Sequence, residues 1–214
     1  METYIYNEQA IKEKVFGFVY GCAMPDAIQQ RAFEGDKAWI ADVGSAKTRV
    51  REYIDKVLCN GFCSQDDHDG YFLEAANDIC ADINAARPAD VTTVFSFGNA
   101  QKLINMTVKH TYSFCYHQPA LRIGFRFCHC PIDQTMLGKV WDQYNALVGK
   151  QACRAVLGTK SAFSKPWGNE GAQEHTQPKL SDFPERYKNF QLAIRDIIGD
   201  GDLLPVEFDY LVWK

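Results

Sequence analysis

Apolar side chains recur along most of this chain at intervals of three and four residues, the spacing that lines one face of an α-helix. Ala100, Leu103, Ile104, Thr107, Val108, Thr111, Phe114 and Cys115 keep that interval and predict a helix entered through a tight turn at Gly98. The same reading predicts a helix over residues 7–20 that ends near Gly21 and Pro25. Others run over 36–59, stopping at Asn60-Gly61, and over 69–86, stopping before Pro88. Asp36 and Asp69 read as the N-caps of the last two. Beyond Asp133, residues 134–148 turn Met136, Leu137, Val140, Trp141 and Tyr144 inward; residues 184–198 do so with Tyr187, Phe190, Ile194 and Ile197. A short apolar tail, 203–213, docks on the core. Residues 158–183 carry Gly158, Pro166, Gly168, Gly171 and Pro178 without any period, and read as a long loop. No strand series and no repeat emerge. The expectation is a compact, multi-helix all-α domain over 1–214. Its two helical lobes are 1–90 with 184–214, and 91–157, with a cleft near the turn at Gly98.

Composition supports a packed domain: 214 residues, 46% hydrophobic and 23% charged, suffice for a substantial core. The longest apolar stretch, residues 15–24, contains two glycines and is too short to span a bilayer. Met1-Glu2-Thr3-Tyr4 lacks the basic-then-apolar layout of a signal peptide, so a cytoplasmic location is expected. The eight cysteines fall mostly within apolar helical patterns and read as reduced, buried thiols. Cys128-His129-Cys130, with Cys59, Cys63 and His68, is an alternative zinc set, but Cys-x-Cys is a poor spacing for one. No metal and no cofactor are expected. His110, His117 and His175 stand in no spacing that pairs them with a nucleophile.

The net charge of −4 conceals a division. Residues 1–99 hold 9 basic and 16 acidic residues, a net of −7, and residues 166–214 hold 5 and 9, a net of −4. Between them, residues 100–165 hold 9 basic residues against Asp133 and Asp142 alone, a net of +7. A basic centre of this kind is what a polyanion partner such as DNA would require.

Chemistry concentrates in Phe97-Gly98-Asn99-Ala100-Gln101-Lys102, which places a lysine near a helix start, and in Pro131-Ile132-Asp133, 31 residues after that lysine. The first run resembles the hairpin of the helix-hairpin-helix DNA glycosylase superfamily, which includes endonuclease III and the 8-oxoguanine glycosylases. Gly98 and Ala100 stand at its two glycine positions, Lys102 at its lysine, and Pro131-Ile132-Asp133 at its Pro-x-Asp. The likeness covers about residues 96–140. It departs from the pattern at Phe97, where proline is usual, at Ala100, and in the long spacer to Asp133. The resemblance implies a helix-hairpin-helix-like element and removal of a modified or damaged base, with or without strand cleavage. Lys102 would act as the amine nucleophile and Asp133 as the carboxylate that activates it or stabilises positive charge developing on the sugar. It implies DNA contacts by Gly98, Asn99, Ala100, Lys109, Arg122, Arg126 and Lys139. Phe97, Tyr112, Tyr116, Trp141 and Trp167 are aromatic candidates for stacking on the base. The four-cysteine loop of endonuclease III is absent, so no iron–sulfur cluster is implied. The alternatives are a non-catalytic helical module that binds nucleic acid or protein, and a cysteine-ligated metal protein.

Overall fold

The computed structural model describes residues 8–28, 38–91, 93–160 and 183–212. These residues are all-α, with no strand among them. The helices are α1 (Glu8–Ile28), α2 (Ala38–Ala41), α3 (Gly44–Leu58), α4 (Gln65–Ala85), α5 (Phe97–Cys115), α6 (Pro119–Arg122), α7 (Gln134–Val148), α8 (Lys150–Leu157), α9 (Phe183–Ile198) and α10 (Pro205–Val212). A 3₁₀ turn spans Ile123–Phe127. No helix of the described residues is long and apolar enough to cross a membrane.

The fold is built around α5, which is buried on nearly every side, including Asn99, Gln101, Asn105 and Thr107. It packs along α1 and also meets α3, α4, α6 and α10, while α7, α8 and α9 pack on one another with α10 touching both groups. One apolar core runs from Phe16 to Val212, with Phe72, Phe95, Phe125, Phe190 and Ile104 among its most buried side chains. Each such side chain contributes roughly 1.5–3 kcal/mol by leaving water.

Several helix ends differ from expectation, for local reasons. The entry to α5 is not a glycine turn. Ser96 caps the helix, accepting from Asn99 N at 3.3 Å, while Asn99 Oδ1 accepts from Ser96 N at 3.0 Å. This reciprocal capping box, worth about 1 kcal/mol, makes Gly98 the second helical residue and puts Lys102 in the second turn. The free amide of Asn99 then donates to Ala27 O at 2.7 Å. That bond, with Ala23, Met24 and Ala27 buried against α5, carries α1 past Gly21 and Pro25. Asp69 is not an N-cap either: Ser64 accepts from Asp67 N, so α4 starts at Gln65 and Asp69 lies in its second turn. The helix expected over 36–59 is broken before Gly44, so that Val43 precedes α3. It does stop where expected, with Asn60 in the left-handed region at φ 53°. Helices α6 and α8 were not foreseen. Asp36 and most of the 158–183 loop lie outside the described residues.

Between the 3₁₀ turn and α7 the chain runs without helical structure through residues 128–133, and Cys128 to Ile132 are all buried. Buried backbone polar groups need partners, and side chains supply them. Gln191 takes both polar groups of Cys130, accepting from N at 3.0 Å and donating to O at 2.8 Å. Gln101 does the same for Ile132, at 3.3 Å and 2.7 Å. Arg195 and Gln65 donate to Phe127 O at 2.8 Å and 3.1 Å. This buried strap presents His129 on one side and ends at Asp133, which caps α7 by accepting from Met136 N at 2.9 Å.

The strap is preceded by Gly124, where a Cβ would run into the carbonyl oxygen of Val57 at the end of α3. The obstruction is backbone, so it cannot turn away. Gly124→Ala is expected to cost at least about 2 kcal/mol, read as a lower urea midpoint at unchanged slope. Gly138→Ala, in α7 with nothing near its Cβ, should be neutral or stabilising. Equal stability of the two variants would contradict this close approach.

Candidate functional site

The residues with the densest polar chemistry come from α4, the strap, α5 and α9. His68 and Asp69 sit in the second turn of α4, His129 in the strap and Tyr187 in α9. Asp69 Oδ1 takes three bonds: from Gln65 Nε2 at 2.6 Å, His68 Nδ1 at 3.0 Å and His129 Nε2 at 2.9 Å. The far nitrogen of each imidazole meets a tyrosine hydroxyl, Tyr53 on His68 Nε2 at 2.6 Å and Tyr187 on His129 Nδ1 at 3.0 Å. Asn105 donates to Tyr187 Oη at 2.7 Å and to Gln101 Oε1 at 3.2 Å. The network therefore runs unbroken from α4 to the glutamine that holds the strap.

Its donors and acceptors assign the tautomers. Each imidazole gives its N–H to Asp69 and accepts a tyrosine O–H on the other side. Burial pushes His129 down to about 3 and also lowers His68, against the opposing pull of Asp69. Both rings are neutral at pH 7. Burial works against ionisation of Asp69, but the bonds from His129, His68 and Gln65 outweigh it and hold the carboxyl well below the usual carboxylate range. Burial raises the Tyr53 and Tyr187 hydroxyls well above their ordinary value, so they remain protonated. A fixed anion thus sits between two neutral rings.

A cleft of about 570 Å³ opens over this cluster, lined by Asp69, His129 and Tyr187, with apolar walls from Phe72, Leu73 and Phe97 and with Asp66, Glu185 and Lys188 around them. Asp69 Oδ2, unlike Oδ1, takes no hydrogen bond among the described residues. It is an acceptor available to a donor or a cation entering the cleft. His68, Asp69 and His129 are also the residues whose ligand atoms all lie within 4.8 Å of one another, a donor set that could hold a metal ion.

The expected pair, Lys102 and Asp133, is brought together at Nζ to Oδ2 3.4 Å, with side chains 15% and 25% exposed. Asp133 serves both roles at once, capping α7 with Oδ1 and meeting Lys102 with Oδ2. The expected DNA contacts fare differently. Gly98, Asn99 and Ala100 are buried in the first turn of α5, and Asn99 is spent on Ser96 and Ala27. These three offer no surface to a phosphate. Lys109 pairs with Asp209, and Arg122 with Glu207 through two bonds of 3.1 Å and 2.9 Å. Arg126 bonds Asn60 Oδ1 at 2.7 Å and covers the Phe127 ring, while Lys139 is exposed on α7. Two of the nine cations of the basic centre, Lys109 and Arg122, are therefore paired with acidic residues of α10. Among the aromatic candidates Phe97 lines the cleft, Tyr112 and Trp141 are buried and Tyr116 is exposed; Trp167, like His175, lies outside the described residues.

All eight cysteines are free thiols. Burial pushes Cys128 up to about 12 and Cys130 well above its ordinary value, so both stay protonated in the core, while Cys59 and Cys63 are exposed. Of the alternative zinc set, His68 and His129 come together with Asp69, and no cysteine joins them in that group among the described residues. The sequence signal for this cluster was the His68-Asp69 doublet and the isolated His129; Tyr187 carried none, since it fits the apolar face of its helix. Comparison with protein-family models, with curated proteins and with solved structures finds no match.

The neutral histidines predict a pH dependence of stability. Unfolded, His129 takes a proton near pH 6.5, whereas folded it does so only near 3. In that window the unfolded chain binds more protons, so stability falls as pH drops through it. Asp69 acts in the same direction at lower pH: its stabilisation is present above the unfolded value of about 3.9 and is lost as pH falls below it. In urea unfolding between about pH 7 and pH 4, His129→Gln should show a shallower decline than the natural chain. An unchanged slope would contradict a neutral, buried His129.

Proposed function

We propose that this protein binds a small molecule in the cleft over Asp69, with a cationic or N–H-bearing head on Asp69 Oδ2 and an apolar body against Phe72, Leu73 and Phe97. The observation that carries this reading is the asymmetry of one carboxylate. Three N–H donors hold Oδ1, fixing the group and its charge, and Oδ2 is left to the cleft. A preorganised anion loses little entropy on binding. Asp66 and Glu185 beside it favour a positive ligand. The eight free thiols accord with a reducing, cytoplasmic setting.

Benzylamine is a suitable probe, followed by calorimetry or by NMR shifts at His129 and Tyr187. Saturable binding is expected, at least about tenfold tighter than for toluene, which has no donor, because a hydrogen bond to a charged group is worth about 1.5–3 kcal/mol. Gly70→Trp should abolish it. Gly70 lines the cleft, and nothing lies within 4 Å of its Cβ position, so the new ring fills space while the network stays intact. Binding that ignores Gly70→Trp, or none at all, contradicts the reading.

A second reading is favoured by a separate observation, the 3.4 Å approach of Lys102 Nζ to Asp133 Oδ2. In it the chain is a divergent DNA glycosylase with lyase activity, Lys102 attacking the sugar carbon of an extruded damaged nucleotide and Asp133 activating the amine. Borohydride should then trap a covalent adduct with abasic-site DNA, and Lys102→Gln should lose it. Absence of an adduct in the natural chain rules this reading out.

A further inference from the structure

The same three residues that fix the cleft's anion have the composition of a metal site. We propose that His68, Asp69 and His129 bind one divalent transition-metal ion of the zinc class, its open coordination position facing the cleft. The inference rests on the cleft reading in one respect only, that Asp69 is the group the cleft presents.

The geometry is close to what a metal requires. His68 Nδ1 and His129 Nε2 lie 3.0 Å and 2.9 Å from Asp69 Oδ1, and one ligand atom from each residue falls within 4.8 Å of the other two. In a tetrahedral zinc site with metal–ligand distances of about 2.1 Å, neighbouring ligand atoms stand about 3.4 Å apart. The two imidazole–carboxylate edges need to open by about half an ångström to reach that spacing, while the edge between the two imidazole nitrogens lies within 4.8 Å. Three protein ligands with a fourth position open to a cleft is the composition of a site where a metal meets substrate or water, not of a closed structural site. Imidazole with carboxylate also suits this class of metal better than calcium or magnesium.

The surroundings fit as well. A metal-bound imidazole commonly donates its other N–H to an outer acceptor, which fixes the ring. Both rings have one in place: Tyr53 Oη at 2.6 Å from His68 Nε2, and Tyr187 Oη at 3.0 Å from His129 Nδ1. On binding, each ring moves its proton from the nitrogen facing Asp69 to the one facing the tyrosine, and each tyrosine hydroxyl turns from donor to acceptor. The imidazoles release no proton to solvent. One group must withdraw, the Gln65 amide, whose nitrogen is 2.6 Å from Asp69 Oδ1 and 3.4 Å from His68 Nδ1. It is half-buried and can turn out, giving up its bond to Phe127 O, which keeps the one from Arg195 at 2.8 Å.

The test is zinc binding to the full, chelator-treated chain in a Cys59→Ser, Cys63→Ser background, which removes the two exposed thiols. It is measured by competition with a chromogenic chelator. One zinc per chain is expected. Asp69→Asn and His129→Ala should weaken it at least about hundredfold, and Tyr187→Phe, which alters only the outer partner, about ten- to hundredfold. Gln65→Ala should bind as tightly or more tightly, an outcome that a merely structural network would not produce. Should His129→Ala fail to fold, cobalt substitution in the otherwise natural background decides. The visible bands of a four- or five-coordinate nitrogen–oxygen site support the proposal. A thiolate-to-cobalt charge-transfer band overturns it, as do absence of stoichiometric binding and zinc affinity unchanged in Asp69→Asn. Benzylamine binding that persists when zinc binding fails would sink the metal and leave the cleft reading standing.

Discussion

The structure depends on how an all-α protein buries a stretch of chain that is not helical. Residues 128–132 cross the interior with no helical ladder to satisfy them, and an unpaired buried backbone group costs about 1–3 kcal/mol. Gln101 from α5 and Gln191 from α9 each read the N–H and the C=O of a single strap residue. The side-chain amide takes the place of a neighbouring strand. Losing either glutamine would orphan a donor and an acceptor together, so α5, α9 and the strap are bound to one another by more than apolar contact.

Position follows from that constraint. The strap carries His129 inward to Asp69 and ends at Asp133, which meets Lys102 one residue beyond Gln101 on α5. The two polar centres, Asp69 with its histidines and Lys102 with Asp133, are thus held by the same short segment. Tyr187 and Asn105 carry the first of them on to Gln101, the chain neighbour of Lys102. Phe72 and Tyr187 stack with ring centroids 5.5 Å apart and Phe97 meets Tyr187 edge-on at 5.4 Å, so the cleft wall packs directly on the network.

What the sequence shows of this follows from which forces are local. Helical periodicity is local, so α7, its Asp133 cap and the inward faces of α5 and α9 could be read directly. Helix boundaries are less so. Asp69 has the chemistry of an N-cap and Ser64 has it too, and the choice was settled by Asp67 N and the tertiary fit of His68. The proximity of Lys102 and Asp133 came from a motif, and the structure places the two side chains together. The burial of Gly98, Asn99 and Ala100 did not, because it depends on Ala27 of a distant helix. Gln101 and Gln191 look like ordinary polar positions until the strap they serve is in view. His129 and Asp69 lie 60 residues apart, with no spacing rule to join them. Lys109 and Arg122 of the basic centre are likewise answered by Asp209 and Glu207 of α10, which only folding brings near.

The central claim is that the strap is held as firmly as a core strand although it belongs to no sheet. Amide hydrogen exchange at Cys130 and Ile132 measures this most directly. Both amide protons should exchange only through global unfolding, at the rate shown by the most protected amides of α5. Exchange at these two positions as fast as in an exposed turn would contradict the account.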